Sequence, residues 1–442
     1  MTTRSIRAAC AAAGLLAVTA GPASAQAQDL PRWARVSFFA QGSSTTPADG
    51  GAASTFSELS VAVTAESAKH ASGGFEYGLN VRFGAYPSSQ GRPARVSVYD
   101  AYVAAGLAGG RVFLKGGQMW LTDLGALGSV TGALVEYRQT GKTKGLKLRA
   151  GVFGGLESKP LEFGYVSGII KAGGYLALDG NGAEKHVVGY VMVRNQNLTE
   201  RSVLTVTNFL PLGRSVFLYQ AAEINLSGAG GQASSSLGYF FLNMHASPSQ
   251  AVDLQATYHK GQSIDFRSIS DDIIAGRPVP AKSLDGFLFE SIGGRVSVEI
   301  LKNLRVFAGY SRDKNDRTAD PVGRFSFGLS STNLFKSGID VHVSDYRYSG
   351  GTGPAYNSWY VSVGRNLSSK VYLSAEYTTS LSILRYVQSS GVVIENRPQT
   401  KRFGGSAIIH VSRTSSLLVV FDHTKDDSYT DNRVLAGLTI RF

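Results

Sequence analysis

The chain has 442 residues and a net charge of +12, yet only 17% of its residues are charged, against about 25% in ordinary soluble proteins. Its 52 glycines, 20 tyrosines and 22 phenylalanines favour strands and turns over helices. The mean hydropathy of −0.03 excludes a polytopic bundle of transmembrane helices.

Residues 1–25 have the features of a cleaved secretion signal. Two arginines open the segment, an apolar run covers 8–20, and small residues occupy 23–25. The apolar run is too short to cross about 30 Å of hydrocarbon. We expect cleavage to remove it together with Cys10, the only cysteine, and residues 26–442 to form a single domain without disulfides.

Apolar and polar residues alternate with a period of two along almost all of the remaining chain. In GFEYGLNVRFGAY (74–86), for example, Phe75, Leu79 and Phe83 share one face, whereas Glu76 and Arg82 share the other. This pattern predicts strands, and the fold class is all-β. We predict 22 strands, starting near residues 32, 56, 74, 96, 111, 131, 145, 168, 185, 201, 214, 235, 250, 286, 303, 323, 337, 356, 370, 402, 416 and 432. Blurred alternation over 168–178, 185–194 and 201–209 leaves the number open between 16 and 22.

The links between strands alternate in length in the second half of the chain. Short links cover 301–303, 366–370 and 412–416, and the long polar links cover 261–285, 313–322, 347–355, 385–401 and 425–431. Short turns at one end and long loops at the other predict a transmembrane antiparallel up-and-down β-barrel, with an even number of strands, in the outer membrane. A soluble sandwich or propeller is the alternative fold, but its strands are usually shorter, about 5–6 residues.

The segment VYDAYVAAGLAGGRVFLKGGQMW (98–120) resembles the early region of bacterial general diffusion porins. There an acidic-Ala-Tyr-Val strand turns into a glycine-rich strand that ends in Gly-Gln, as at 100–103 and 116–118. The resemblance implies a place in the outer membrane of a Gram-negative cell, with lipid and lipopolysaccharide as neighbours. It also leaves a homotrimer open as the assembly.

The chain ends in VLAGLTIRF, which is similar to the C-terminal signal that the outer-membrane barrel insertion machinery reads. We expect Leu438, Ile440 and Phe442 to form that assembly signal on the lipid-facing side. The last strand would then pair with the strand near 32–41 and close the barrel, because closure removes both sheet edges.

When the apolar face of each strand is placed outward, charged residues of both signs point into the barrel. A dry interior would have to pair nearly all of them, because an unpaired buried ion is very costly, whereas water hydrates them easily. A lumen closed by salt bridges and folded loops is the alternative. We predict a polar, anion-leaning pore lined by Glu76, Arg82, Glu136, Arg138, Lys147, Arg149, Arg295, Glu299, Arg305, Asp340, Glu376 and Arg441.

The link from Gln118 to Thr131 is apolar and rich in glycine. By its position after the fifth strand, it resembles the loop that folds into porin lumens and narrows them. We therefore predict that it forms the constriction, with Trp120 and Asp123 as its residues.

These features favour a channel for the passive diffusion of small hydrophilic solutes, and not an enzyme. We expect no cofactor, no metal site and no nucleic-acid partner, since metal-binding and nucleotide-binding motifs are missing from the sequence. The alternative is the barrel of a polysaccharide or other export or assembly system, with a wide or loop-plugged lumen. Aromatic residues facing inward would favour sugar passage, and the candidates are Phe39, Phe153, Phe307, Tyr360 and Tyr372.

Overall fold

The computed structural model shows a closed antiparallel β-barrel, which confirms the predicted fold class. The predicted signal segment, 1–25, lies outside the described residues. The residues that the structure describes are 31–67, 74–87, 92–140, 145–159, 162, 164–180, 182–228, 235–316, 320–349, 355–387 and 393–442.

The strands follow one another around the barrel in chain order, each antiparallel to its neighbours. They are β1 Pro31–Pro47, β2 Ser54–Ser67, β3 Phe75–Ala85, β4 Arg95–Leu107, β5 Val112–Trp120, β6 Ser129–Arg138, β7 Lys147–Ser158, β8 Tyr165–Asp179, β9 Lys185–Asn195, β10 Leu198–Leu212, β11 Val216–Gly228, β12 Ser236–Ser249, β13 Val252–Ser263, β14 Phe287–Leu301, β15 Leu304–Asn315, β16 Val322–Ser331, β17 Ile339–Ser349, β18 Ala355–Ser368, β19 Val371–Val387, β20 Val393–Asn396, β21 Gln399–His410, β22 Ser415–Asp426 and β23 Tyr429–Arg441.

The short β20 and the longer β21 occupy the same place in the barrel wall. Both pair with β19, where Leu384 faces Asn396 and Leu381 faces Gln399. The wall therefore consists of 22 strands, as the alternation pattern predicts.

Strand β23 pairs with β1 over its whole length, from Arg35 opposite Arg441 to Pro47 opposite Tyr429. This pairing confirms the predicted closure by the last strand. Because both neighbours of β1 are then occupied, this seam leaves no open sheet edge.

The strand pairings place the links that the sequence predicts to be long at the end of the barrel opposite β1's start and β23's finish, although the link predicted over 425–431 is only a short turn between β22 and β23. The largest connects β13 to β14 and contains two helices, α1 (Phe266–Ile274) and α2 (Ala281–Asp285). Two short 3₁₀ helices, Thr122–Leu127 and Leu334–Lys336, lie in the links after β5 and β16. Among the described residues, no helix is long and apolar enough to span a bilayer.

The two faces of the wall differ in chemistry. Large apolar side chains alternate along the outer face and are exposed, as shown by Val103 (54%), Val152 (62%), Leu176 (59%) and Ile292 (59%). So large an exposed apolar surface fits contact with hydrocarbon and not with water. The opposite face, which carries most of the strand charges, is the inner face that surrounds the lumen.

Candidate functional site: the lumen

The link after β5 folds against the inner wall. Leu124 is fully buried and lies over Gly189 of β9, where a Cβ atom would collide with the leucine side chain. Leu124 joins a buried apolar cluster with Met119, Val187 and Val191. This segment, 121–128, therefore covers the inner face of the neighbouring strands as far as β10.

Asp123 fixes the segment to the wall through charged side chains. It accepts a hydrogen bond from the Lys185 ammonium and another from Arg149, whose Nη2 lies 2.9 Å from Asp123 Oδ2. Burial raises the pKa of Asp123, but the hydrogen bond from Lys185 and the charge of Arg149 outweigh burial and hold that pKa below its ordinary value. The carboxylate therefore stays ionised at neutral pH.

Arg149 is the centre of this ionic cluster. It also binds Asp179, and its Nη1 lies 2.8 Å from Glu136 Oε2. Glu136 is only 2% exposed and accepts further hydrogen bonds from Arg138, at 2.5 Å, and from the Tyr175 hydroxyl. The buried carboxylate is thus saturated with donors, which is what its burial requires.

Helix α1 covers the same side of the lumen nearer the loop end. Its Phe266 ring fills the space over Gly228, and Ile269 is 1% exposed. Arg267 donates to Glu200 at 2.5 Å and to Glu157 at 3.1 Å, which ties the helix to β10 and β7. We call the inner face of β5–β11, which these two segments cover, the filled side.

The inner face of β13–β23, which we call the open side, carries accessible polar groups. Arg295 lies 3.9 Å above the ring of Phe307, which stacks on His342. Farther round the wall, Tyr360 donates to Glu376 at 3.0 Å. On the neighbouring strand β21, Arg402 forms ion pairs with Glu376 at 2.9 Å and with Asp422 at 2.7 Å.

Every residue predicted to line a pore has its side chain on the inner face. Among them, the structure brings Glu136, Arg138 and Arg149 together with Asp123 at the filled side. That the whole set lines a path for solutes stays a prediction. The set is Glu76, Arg82, Glu136, Arg138, Lys147, Arg149, Arg295, Glu299, Arg305, Asp340, Glu376 and Arg441.

Several of these residues are occupied with local contacts. Arg82 pairs with Glu58 at 2.5 Å. Arg305 lies 3.5 Å from Glu299, and Asp340 accepts a hydrogen bond from the backbone of Asn333 at 3.0 Å, so they support the turns at the end with the termini. Glu76 is buried, whereas Lys147 and Arg441 are exposed at that same end.

Trp120 does not belong to the constriction, and that part of the prediction is wrong. Trp120 lies six residues after Leu114, and side chains two, four or six residues apart on a strand share a face. It therefore lies on the outer face of β5 with Leu114, and it is 51% exposed. A tryptophan at a strand end on the outer face suits the membrane–water interface. Asp123, the other residue of that prediction, lies on the inward-folded segment described above.

Sequence reasoning missed two members of the ionic cluster around Arg149 and the whole of the cluster around Arg267. Asp179 and Lys185 face each other across β8 and β9, but the alternation there is too blurred to assign a face. Arg267 lies in a segment predicted only as a loop, and its partner Glu157 is 110 residues away. Pairing across strands, and not any local motif, creates these sites.

A closed barrel of 22 antiparallel strands with an apolar outer belt and a charged interior has the architecture of a transmembrane β-barrel. No model of a known protein family matches the chain, and no curated protein is significantly similar to it.

Several solved barrels are similar in structure over most of the chain. The P pilus usher (PapC) translocation pore has a TM-score of 0.49 and 11% identity, over 92% of this chain and 99% of the other. Pseudomonas aeruginosa OpdQ has a TM-score of 0.44 and 9% identity, over 93% and 99%. A BenF-like porin from Pseudomonas fluorescens Pf-5 has a TM-score of 0.44 and 11% identity, over 93% and 100%. These TM-scores lie below 0.5, so the assignment of the fold rests on the strand pairings themselves.

Proposed function

We propose that this protein is an outer-membrane channel through which small hydrophilic solutes diffuse passively along the open side of the lumen. The contrast between the two inner faces carries the proposal. On the filled side Val191 and Val203 are 0% exposed, whereas on the open side the side chains of Arg324 and Arg402 are 48% and 44% exposed. Water that hydrates these ions provides a path for polar solutes.

The two inward-folded segments support a narrow path over a wide export conduit. They occupy the lumen beside β5–β11 and so confine the proposed passage to the opposite side, away from the barrel axis. A transport role also fits His342 of the open side, because it contacts the rings of Phe307 and Tyr360 and so serves as part of the wall. We propose no catalytic role for the lumen.

A preference for anions is the finer part of the proposal, and Arg295 is the residue that supports it. Arg402 is balanced by two carboxylates, and Arg324 lies 2.5 Å from Asp313. Within the described residues the guanidinium of Arg295 contacts the Phe307 ring and forms no ion pair. The ring carries no net charge, so the positive charge of Arg295 is not compensated. Such a cation in a pore wall attracts negative solutes.

Conductance of the purified protein in planar lipid bilayers tests both parts. We expect stable open steps and, in a salt gradient, a reversal potential that favours chloride over potassium. Arg295→Gln should lower that preference by about twofold, since one wall charge is lost. Arg365→Gln removes an arginine from the outer face and should leave the preference unchanged. A silent protein would refute the channel, and an unchanged preference in Arg295→Gln would refute the role of that residue.

We further propose that the protein reaches the outer membrane after cleavage of its signal and is recognised there through Leu438, Ile440 and Phe442. Leu438 and Phe442 are 37% and 67% exposed on the outer face, where insertion machinery can contact them.

Lipopolysaccharide is the proposed lipid neighbour, because Lys401 and Lys425 face each other directly on the outer face near the loop end. Two opposed ammonium groups repel unless an anion such as a phosphate lies between them. A homotrimer remains a prediction from the porin resemblance.

A further inference from the structure

Aromatic rings follow one another along the inner wall of β10–β14, from one end of the barrel to the other. Consecutive ring centroids are 6.1, 5.9, 6.1, 4.6 and 6.4 Å apart. We call this row the aromatic track, and its members, taken from the end with the termini to the loop end, are Phe209, Tyr219, Phe241, His259, Phe289 and Phe287.

The track reaches both ends of the lumen. Phe209 stands near the end of β10, next to the turn at the terminal end, and Phe287 is the first residue of β14 at the loop end. All members are partly exposed, so their rings meet the interior of the barrel. The track lies where the filled side meets the open side.

Packing of the wall does not account for the first half of the track. Elsewhere, inward rings lie over glycines of the neighbouring strand, as Phe307 does over Gly328 and Tyr175 over Gly151. Those rings fill space that the missing side chain leaves. Phe209 instead faces Tyr219 directly across β10 and β11, and Tyr219 contacts Phe241 of β12 diagonally. All three rings remain partly exposed.

Three of the polar residues beside the track carry no charge. Asn243 faces Tyr219 on one side and Thr257 on the other, and Ser291 faces His259. Their side-chain amide and hydroxyl groups make no hydrogen bond with the described residues, so they are free to bind a ligand. Amide and hydroxyl groups both donate and accept, as a polyhydroxyl ligand requires.

We propose that the aromatic track binds neutral saccharides and guides them through the lumen, an inference that rests on the proposed channel function. A sugar ring has apolar C–H faces that stack on aromatic rings and hydroxyl groups around its edge that hydrogen-bond to neutral polar side chains. Asn243, Thr257 and Ser291 supply these partners beside the rings. A track with rings at intervals of about one sugar unit allows a chain of sugars to move from ring to ring.

Block of the ion current by neutral maltooligosaccharides, from maltose to maltohexaose, in planar bilayers tests the proposal. We expect block that depends on concentration and strengthens with the number of sugar units. Phe241→Ala should weaken the block by maltohexaose about tenfold, because it removes one stacking surface at the middle of the track. Phe241→Leu keeps an apolar side chain for folding and should weaken the block as well.

The matched control is Phe240→Ala, one residue away on the same strand. Phe240 pairs with Tyr258 on the outer face, with ring centroids 6.0 Å apart, and its removal should leave the block unchanged. Ion conductance without sugar block would overturn the track while leaving the channel in place, whereas absence of conductance would overturn the channel itself. Two further outcomes would overturn saccharide binding by the track. Equal block by polyethylene glycol of the same size would indicate size exclusion, and stronger block by tetraethylammonium would indicate cation binding.

Discussion

Asp345 places a carboxylate on the outer face of β17, between Phe327 and Trp359 of the neighbouring strands. It is 1% exposed, and its Oδ2 accepts from Arg347, whose Nη2 lies 2.8 Å away. Arg347 is the outward residue two positions farther along, so its charged group covers the carboxylate from the loop end. The pair is an ionic contact flanked by two aromatic side chains of the outer face.

Arg347→Leu should destabilise the barrel, because it leaves the Asp345 carboxylate buried and unpaired. Loss of one partner of a fully buried ion pair costs about 3–5 kcal/mol, and the loss here should be smaller because the Arg347 side chain is 57% exposed. Replacement of both partners by apolar residues is often neutral. The double variant Asp345→Leu/Arg347→Leu should therefore recover most of the loss. Urea unfolding of the protein in lipid vesicles measures the difference, and equal stabilities for the single and double variants would show that the pair contributes nothing.

Elements β8, β9 and β10 show what blurred alternation means physically. Their residues 168–178, 185–194 and 201–209 alternate poorly because both faces of these strands are apolar. The outer face meets lipid, and the inner face, with Val187, Val191 and Val203, packs beneath the inward-folded 121–128 segment and its surroundings. The blurred alternation therefore marks strands that are apolar on both faces. It could not reveal the 121–128 segment that covers them, because that segment is distant in sequence and meets these strands only in the folded protein.

The inward-folded segment should be released at low pH. Since the pKa of Asp123 lies below its ordinary value of 3.8, the ionised carboxylate stabilises the segment at higher pH, and this contribution is lost as the pH falls through the folded-state pKa, below 3.8. We expect constant conductance from neutral pH down to about pH 4 and larger, noisier steps below 3.8. Asp123→Asn should give such steps already at neutral pH.

Asp272→Asn is the control for that change, because Asp272 of α1 pairs at 2.6 Å with Arg277, just beyond the end of the helix, and makes no ion pair with the 121–128 segment. Its conductance should match that of the wild-type protein at every pH. If Asp123→Asn also matches the wild type at neutral pH, Asp123 does not hold the segment in place.

At the scale of the whole molecule, local pattern suffices for the wall and fails for its contents. Period-two alternation of apolar and polar residues marks most strands in the sequence, so the predicted strand starts lie close to the observed ones. The link predicted over 425–431 is instead a tight turn, because Thr400 and Thr45 bind Asp426 and Asp431 and extend the pairing beyond the apolar residues. Contacts such as Arg267 with Glu157 depend on the closed shape of the barrel, and no local spacing encodes them.

The off-centre passage is the central claim, and cysteine accessibility under single-channel recording tests it most directly. Ser362→Cys places a thiol on the open side between His342 and Glu376, and Thr205→Cys places one on the filled side, where the native residue is 2% exposed. A negatively charged thiol reagent should reduce the conductance of Ser362→Cys and leave Thr205→Cys unchanged. Block at Thr205→Cys without block at Ser362→Cys would contradict the account.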